Sequence, residues 1–165
     1  MTYRLFTVAA AIIAMGGAAM PASAVAAEPT KYVNLKGGGV ALHGYDAVAY
    51  FDRSAAVKGS PAYTASYQGI RYQFADAASK AKFEASPQRY LPVYGGFCAY
   101  GVAQGYKVDV DPEAFTVVDN RLYLNVSKSI RTKWRKDAPG YIRKADTNWG
   151  EVKEKKSGVL GGLFG

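Results

Sequence analysis

The chain contains one cysteine, Cys98, in the stretch "YGGFCAYGVA" at 94–103, directly after a Gly-Gly pair. We predict a short helix over "FCAYGVA", which places the thiol near backbone N–H groups and the positive end of the helix dipole, where the thiolate is favoured. A thiolate binds soft metals, attacks disulfides and is oxidised to sulfenic acid. The alternative is a small buried side chain, because free cysteine is among the most buried residue types. The sequence leaves both hypotheses open.

The only histidine, His43, lies in "ALHGYDAVAYF" at 41–51, three residues before Asp46. If the fold brings Cys98, His43 and Asp46 together, the mixed sulfur, nitrogen and oxygen donors could hold copper or zinc with open positions. The same residues could form a cysteine–histidine nucleophilic pair oriented by Asp46, but no oxyanion-hole signature accompanies them. The alternative for His43 is a polar residue on a turn before Gly44, hydrogen-bonded locally.

Thirteen tyrosines are more than a small core requires, and several flank the two stretches described above. Each buried tyrosine hydroxyl needs a hydrogen-bond partner, so such residues often line a polar-rimmed pocket. We predict that Tyr45, Tyr94 and Tyr100 line a ligand-binding surface. The alternative is that they pack together as the aromatic framework of a small fold.

The residue inventory excludes several kinds of site. One cysteine allows no intramolecular disulfide, and one cysteine with one histidine cannot supply the four ligands of a closed structural zinc site. The three methionines are Met1, Met15 and Met20, so no Met-rich copper(I) carrier is encoded after the N-terminal segment.

The N-terminal segment has the pattern of a secretory signal peptide: Arg4, an apolar run, and the small-residue stretch "PASAVAAE". We predict a signal peptide at 1–27, a single domain at 28–150 and a flexible, basic and glycine-rich tail at 151–165. The mature protein would be periplasmic or secreted and would have no transmembrane helix, since the apolar run is short for a bilayer span.

The formal net charge of +8 falls to +7 when Arg4 is removed with the signal peptide (8 − 1). The densest basic groups, "RTKWRK" and "KEKK", lie toward the C-terminus. No RNA- or DNA-binding motif accompanies them, so we expect a solvated basic helix face and no nucleic-acid partner.

Alternating patterns predict two β-hairpins. The first joins "AYTASY" and "IRYQFA" across Gln68-Gly69, and the second joins "AFTVV" and "RLYLNV" across Asp119-Asn120. Residues 28–40 look like an extended lead-in that ends in three glycines. The predicted fold class is α+β, a small single domain of two antiparallel β-hairpins packed with several short helices.

Helical signals follow each hairpin. Asp76 is a good N-cap for "AASKAKFEAS", and Pro87 should end that helix. Its predicted buried face includes Ala77, Ala81 and Phe83. From Ser127 the spacing of apolar residues becomes helical again and continues to Trp149.

Four stretches together resemble the exported YHS-domain proteins of bacteria: "GYDAVAYF", "YQGIRYQFADAASKAKFEASPQRYLPVYGGFCAYGVAQG", "DNRLYLN" and "IRKADTNW". The resemblance extends from about Val33 to Trp149. It implies a YHS-like fold, in which the block "FEASPQRYLPVYGG" resembles the small YHS unit with its Phe-x-x-x-Pro-x-x-Tyr helix. Better-known related modules bind metals through paired cysteines, and here "AVAYFDRSA" stands where a cysteine-bearing strand would begin. Only Cys98 matches a signature position of the family.

The resemblance and the thiolate-favouring position of Cys98 together predict an exported, non-enzymatic domain that binds or handles copper or another thiophilic ion through Cys98. His43 and Asp46 are the candidates for further ligands. Its partners would be a metal ion or another exported protein. Two alternatives stay open. One is a thiol-redox protein in which Cys98 cycles with a partner thiol, and the other is a ligand- or protein-binding module with a tyrosine-lined surface.

Overall fold

The computed structural model describes residues 32–36 and 38–158. The predicted signal peptide at 1–27 and the end of the predicted tail, 159–165, lie outside these residues. The described residues form an α+β domain with a four-stranded mixed sheet and a two-stranded antiparallel sheet, and this confirms the predicted fold class. The strands are β1 (Leu35–Lys36), β2 (Val40–Ala41), β3 (Ser60–Tyr67), β4 (Ile70–Phe74), β5 (Asp111–Val118) and β6 (Arg121–Asn125).

Both predicted hairpins are present, and their turns explain why. Gln68 and Gly69 between β3 and β4 have φ of +50° and +77°. Asp119 and Asn120 between β5 and β6 have φ of +49° and +57°. Two consecutive left-handed residues make the turn whose twist matches that of paired strands, and Gly, Asn and Asp tolerate this conformation best.

The lead-in contributes more structure than the sequence predicted. It forms β1 and β2, which pair antiparallel with Leu35 opposite Ala41. Val40 of β2 then pairs in parallel with Arg71 of β4, so the first sheet has the order β1-β2-β4-β3. A two-residue strand carries little signal of its own, because its pairing depends on a strand that comes thirty residues later in the chain.

Six helices pack on the sheets in the described residues, and four begin with a side-chain cap, supplied by Asp76, Cys98, Ser127 and Asp137. Asp76 accepts a hydrogen bond from the Ser79 amide at 2.8 Å, as predicted, and Ser127 and Asp137 cap later helices in the same way. The helices are α1 (Ala49–Asp52), α2 (Ala77–Ala85), α3 (Pro87–Tyr90), α4 (Ala99–Ala103), α5 (Lys128–Arg135) and α6 (Ala138–Val152).

The buried face of α2 was predicted only in part. Phe83 is buried, but Ala77 and Ala81 are exposed, and Ser79 takes the second inward position. Ser79 and Phe83 are four residues apart and therefore share one helix face. The predicted burial of Ala77 and Ala81 was wrong, because the positions of alanines alone do not determine which side of a short helix packs on the sheet.

The buried core extends from the first sheet and α2 to the second sheet and the C-terminal helices. Four consecutive residues of β6, 122–125, are buried, so this strand is covered on both faces. The Tyr123 ring lies 5.2 Å from the fully buried Trp134 of α5. Val152 at the end of α6 is also buried, so the domain extends beyond its predicted boundary at 150.

The described part of the predicted tail, 151–158, is attached to the domain. The amide of Gly158 donates to the Lys107 carbonyl at 3.1 Å, and the Lys107 ammonium donates to the Lys153 carbonyl at 3.0 Å. Among the helices of residues 32–36 and 38–158, none has both the length and the apolar character to cross a membrane.

Candidate functional site

Cys98 is the N-cap residue of α4, as the sequence predicted, but its side chain is sealed inside the protein. The residue has 0% of its surface exposed. Its sulfur accepts a hydrogen bond from the Gly101 amide at 3.4 Å and lies 3.8 Å from the Asn125 side-chain oxygen. Its backbone amide donates to the Val108 carbonyl at 3.0 Å. Cys98 thus joins α4 to β6 and to the segment before β5.

Burial raises the pKa of the Cys98 thiol, and the amide hydrogen bonds from Gly101 and its neighbours offset this only in part. The helix-start amides are present as the sequence predicted, but the burial, which the sequence left open as the alternative, disfavours the charged thiolate more strongly. A covered thiol with a raised pKa is a poor nucleophile and a poor ligand for an incoming metal. The environment of Cys98 is that of a packed side chain.

His43 does not share a partner with Cys98 in any contact of the described residues. It has a left-handed backbone with φ of +53°, and its Nε2 lies 2.8 Å from an oxygen of Asp109. The angle at this contact is poor, because Nε2 is buried without a well-aligned hydrogen bond. His43 therefore contacts a carboxylate distant in sequence, and the contact is an ion pair when the imidazole is protonated.

Asp109 is the centre of a small surface cluster that holds the lead-in. Asn34 donates to its Oδ1 at 2.9 Å, and Lys36 lies 3.8 Å from its Oδ2. Burial alone would raise the pKa of Asp109, but the hydrogen bond from Asn34, the amide of Val110 and the nearby cations hold it below its ordinary value. These contacts attach the first strands to the segment before β5.

Asp46, the third predicted metal ligand, is used entirely by the fold. It is fully buried, and its two oxygens accept hydrogen bonds from the amides of Val48 at 2.8 Å, Ala49 at 3.2 Å and Ala75 at 3.0 Å. Two of these amides start α1, and the third follows β4. Asp46 therefore holds the turn that leads into α1 and joins it to the first sheet, and its buried carboxylate already accepts three hydrogen bonds.

The backbone bend at Tyr94 and Gly95 explains why glycine is required before Cys98. Tyr94 and Gly95 both have left-handed backbones, with φ of +54° and +60°. This bend lets the Asn34 amide donate to the Gly95 carbonyl at 2.8 Å, and a Cβ on Gly95 would overlap the Tyr32 carbonyl oxygen. The Tyr94 hydroxyl is buried and donates to Asp146 of α6 at 2.8 Å, and burial raises its pKa.

The three tyrosines predicted to line a ligand surface lie in separate environments. Tyr94 packs on Trp149 with ring centres 5.7 Å apart. Tyr100 packs on Tyr141 at 5.1 Å, and Tyr45 lies under the Lys58 ammonium at 5.5 Å. These contacts are those of an aromatic framework, the alternative that the sequence left open for the tyrosines.

The predicted metal ligands thus have different partners. In the part of the chain that the structure describes, no three His, Cys, Asp or Glu side chains lie together in a way that could hold a metal ion. The contacts of Cys98, His43 and Asp46 attach loops to neighbouring elements, and the Asp46 carboxylate accepts hydrogen bonds from three backbone amides.

A different region presents accessible functional groups. A cleft of about 390 Å³ lies between α1, α3, the second hairpin and α5, and Arg89, Arg131 and Arg135 line it. We call it the arginine cleft. No carboxylate of the described residues forms an ion pair with any of these three side chains. The one acidic residue in the lining, Asp52, is paired with Lys82.

Secondary structure explains how the arginines meet. Arg131 and Arg135 are four residues apart on α5 and therefore project from the same face. Arg89 comes from the one-turn helix α3, which begins at Pro87 and crosses to β6. The three guanidinium groups remain charged at every physiological pH.

Aromatic rings line the same cleft. Tyr50 and Phe51 come from α1, and Phe115 comes from β5. Tyr50 is buried, with its hydroxyl donated to the Pro112 carbonyl at 3.1 Å and its ring 4.9 Å from that of Phe115. Phe51 and Phe115 are partly exposed. The cleft therefore combines positive charge with apolar surface.

Five buried side-chain atoms of the described residues have no hydrogen-bond partner there, and two of them belong to lining residues: Nε of Arg131 and the hydroxyl oxygen of Thr116. A buried polar atom without a hydrogen bond costs about 1–3 kcal/mol of stability. Two such atoms in one lining mark a place where the fold is not optimised for its own stability. Such places are frequently binding sites.

The sequence contained a partial signal for this site. "RTKWRK" was interpreted as a solvated basic face, and its arginine spacing does indicate a shared face of one helix. Arg89 and the aromatic residues of α1 and β5 come from distant parts of the chain, and only the packing of α3 and α5 on the second hairpin brings them together.

Comparisons of the chain with models of protein families, with curated proteins and with solved structures found no match.

Proposed function

We propose that this protein is a binding domain that takes a small organic anion in the arginine cleft. The observation that carries the proposal is the set of three arginines without acidic partners around one cleft with aromatic walls. Guanidinium groups pair with carboxylates and phosphates through charge-assisted hydrogen bonds, which are stronger than neutral ones. The volume of about 390 Å³ is at the lower end of the range for small-molecule sites.

A binding role fits the chemistry of the lining better than catalysis. Among the described residues of the lining, the only carboxylate is Asp52, which Lys82 already pairs, and neither His43 nor Cys98 contributes. The lining offers groups that attract, orient and pack against a ligand. It matches the alternative of a non-catalytic binding module predicted from the sequence, with arginines in place of the expected tyrosines.

Isothermal titration with three probes of similar size tests the proposal: benzoate, phenyl phosphate and the neutral benzamide. We expect at least one anion to bind and benzamide to bind much more weakly. Arg135→Ala and Arg89→Ala should each weaken anion binding about three- to tenfold, the range for losing one partly screened charge–charge contact. Arg143→Ala is the matched control, because Arg143 is an exposed arginine of α6 outside the cleft. Equal binding of benzamide and the anions would contradict the proposal.

Metal handling through Cys98, the function predicted from the resemblance, has no comparable support. The sulfur is covered, Asp46 is committed to three amides, and His43 contacts Asp109. Titration with copper(I), copper(II) and zinc beside a Cys98→Ala variant tests that function. Export of the protein and its place among the YHS-domain proteins stay predictions from the sequence, and an anion-binding domain is compatible with both.

A further inference from the structure

Arg131 differs from the other two arginines of the cleft in how it is held. Its Nη1 donates to the Glu113 carbonyl of β5 at 3.2 Å, while Arg89 and Arg135 are exposed. One end of this guanidinium is therefore fixed to the backbone. Nη1 keeps one further N–H, and the donors Nε and Nη2 lie on one edge and point in parallel directions. That edge matches the two oxygens of a carboxylate.

Nε of Arg131 is buried and has no protein partner. A carboxylate that pairs side-on with Arg131 would supply one, provided that the guanidinium turns slightly toward the cleft to meet it. Arg131 is half-buried and sits on a helix surface, so such a turn requires only side-chain torsions to change.

Thr116 supplies a second donor. It lies on β5, lines the same cleft, and its hydroxyl is buried without a partner. The same strand carries Glu113, whose carbonyl holds Arg131. A carboxylate on Arg131 has further lone pairs that a hydroxyl can use. Because both residues line the same cleft, we assign their two orphaned atoms to one ligand group.

The apolar walls of the arginine cleft indicate the chemical character of the rest of the ligand. Phe51 and Phe115 are partly exposed in the cleft, and the edge of Phe115 already meets Tyr50. Aromatic faces favour offset or edge contacts with another flat ring. A small acid without an apolar body would leave these walls unused.

Resting on the proposed function, we infer that the ligand is a carboxylic acid with a flat apolar body, bound side-on by Arg131 and Thr116. Arg89 and Arg135 add attraction for any anion, because they are exposed and unconstrained. Arg131 and Thr116 select the carboxylate among anions. The selection depends on geometry, since all monoanions of the same size carry the same charge.

Benzoate and benzenesulfonate separate these two contributions, because both combine one negative charge with one benzene ring. We expect benzoate to bind about tenfold more tightly, the usual advantage of a matched bidentate pair. Acetate, which lacks the ring, should bind at least about tenfold more weakly than benzoate. Titrations at constant ionic strength measure all three affinities.

Arg131→Lys keeps the charge but cannot bind both oxygens in the same plane. In this variant the affinities for benzoate and benzenesulfonate should become equal within about twofold, with benzenesulfonate itself little changed. Thr116→Val should weaken benzoate about threefold. Its urea unfolding midpoint should stay the same or rise, because the substitution removes an unpaired buried hydroxyl.

The outcomes distinguish the inference from the proposed function. Equal affinities for benzoate and benzenesulfonate in the wild type, both lowered by Arg135→Ala, would overturn the carboxylate inference and leave anion binding in place. An Arg131→Lys variant that folds and retains the full preference would overturn it as well. Absence of binding by every anion would instead contradict the proposed function.

Discussion

The Cys98 turn, residues 94–103, and the arginine cleft use polar groups in opposite ways. In the turn, the Tyr94 hydroxyl, the Cys98 thiol and the Gly101 amide all have partners within the fold, and the side chains are buried. In the cleft, within residues 32–36 and 38–158, three arginines form no ion pair and two buried polar atoms have no hydrogen-bond partner. The Cys98 turn has the more unusual sequence, yet its polar groups stabilise the fold.

Exposure and the lack of partners within the fold indicate where a ligand can bind or a side chain can react. Rare residue types attract attention in a sequence, but their reactivity depends on exposure and on the partners that the fold gives them. Cys98 and Asp46 are hydrogen-bonded within the fold, whereas His43 faces Asp109 without a well-aligned hydrogen bond. The cleft arginines are common residues whose significance comes from being brought together without counter-charges. The predictions below test this contrast.

Thiol labelling gives the largest expected effect. Because Cys98 is fully buried, a disulfide reagent should modify the native protein at least about a thousandfold more slowly than the urea-unfolded chain, since labelling requires opening of the core. The time course of thionitrobenzoate release measures both rates. Rapid modification of the native protein would show that the thiol is accessible. It would contradict the proposed difference between the Cys98 turn and the arginine cleft.

Asp46→Ala should be the most destabilising of the substitutions discussed. It leaves three buried amides without an acceptor, and we expect a loss of about 3–4 kcal/mol in the free energy of unfolding. Asp76→Ala is the matched control, because Asp76 caps a helix but is largely solvated, and about 1 kcal/mol should be lost there. Urea unfolding measures both. Similar losses would mean that Asp46 is no more structural than an ordinary cap.

Gly95→Ala tests whether the close approach of the lead-in requires glycine at position 95. The new Cβ would meet the Tyr32 carbonyl in a backbone with φ of +60°, so about 2–3 kcal/mol should be lost as the lead-in is displaced. Gly69→Ala has φ of +77° but open space around the Cβ, and should cost only about 1 kcal/mol. If the two variants lose equal stability, the close approach of the lead-in to Gly95 is not what requires the glycine.

The pH dependence of Cys98 is the smallest effect. Burial raises the thiol pKa in the folded state above its ordinary value of 9.0, so the unfolded chain loses the proton first as pH rises. The stabilisation from the buried thiol is therefore complete below pH 9 and declines above it. The difference in unfolding free energy between wild type and Cys98→Ala should narrow from about pH 7 to about pH 10. A difference that widens would show a stabilised thiolate instead.

Local signals in the sequence predicted much of the fold. Both hairpins, the Asp76 cap and the helix start at Ser127 are encoded within a few neighbouring residues, and the structure has all of them. The short strands β1 and β2 were seen only as an extended lead-in, because they exist through pairing with β4. The buried face of α2 was misassigned because it depends on how the helix meets the sheet.

The candidate site was less predictable, because its properties also depend on contacts between elements that are distant in sequence. Asp46 was taken as a ligand although its position before "AVAYF" also fits a cap, and only the structure shows both oxygens occupied. The burial of Cys98 depends on β6 and the segment before β5. Arg89 meets Arg131 only after α3 and α5 have packed on the second hairpin.

Chemical-shift mapping of the ¹⁵N-labelled protein with benzoate tests the central claim most directly. We predict that amide signals from 51–54, 115–120 and 131–135 move on titration with a common dissociation constant. Signals from His43 and from 94–103 should stay in place. Movement confined to His43 and the Cys98 turn would contradict the claim and indicate that ligands bind around Cys98 instead.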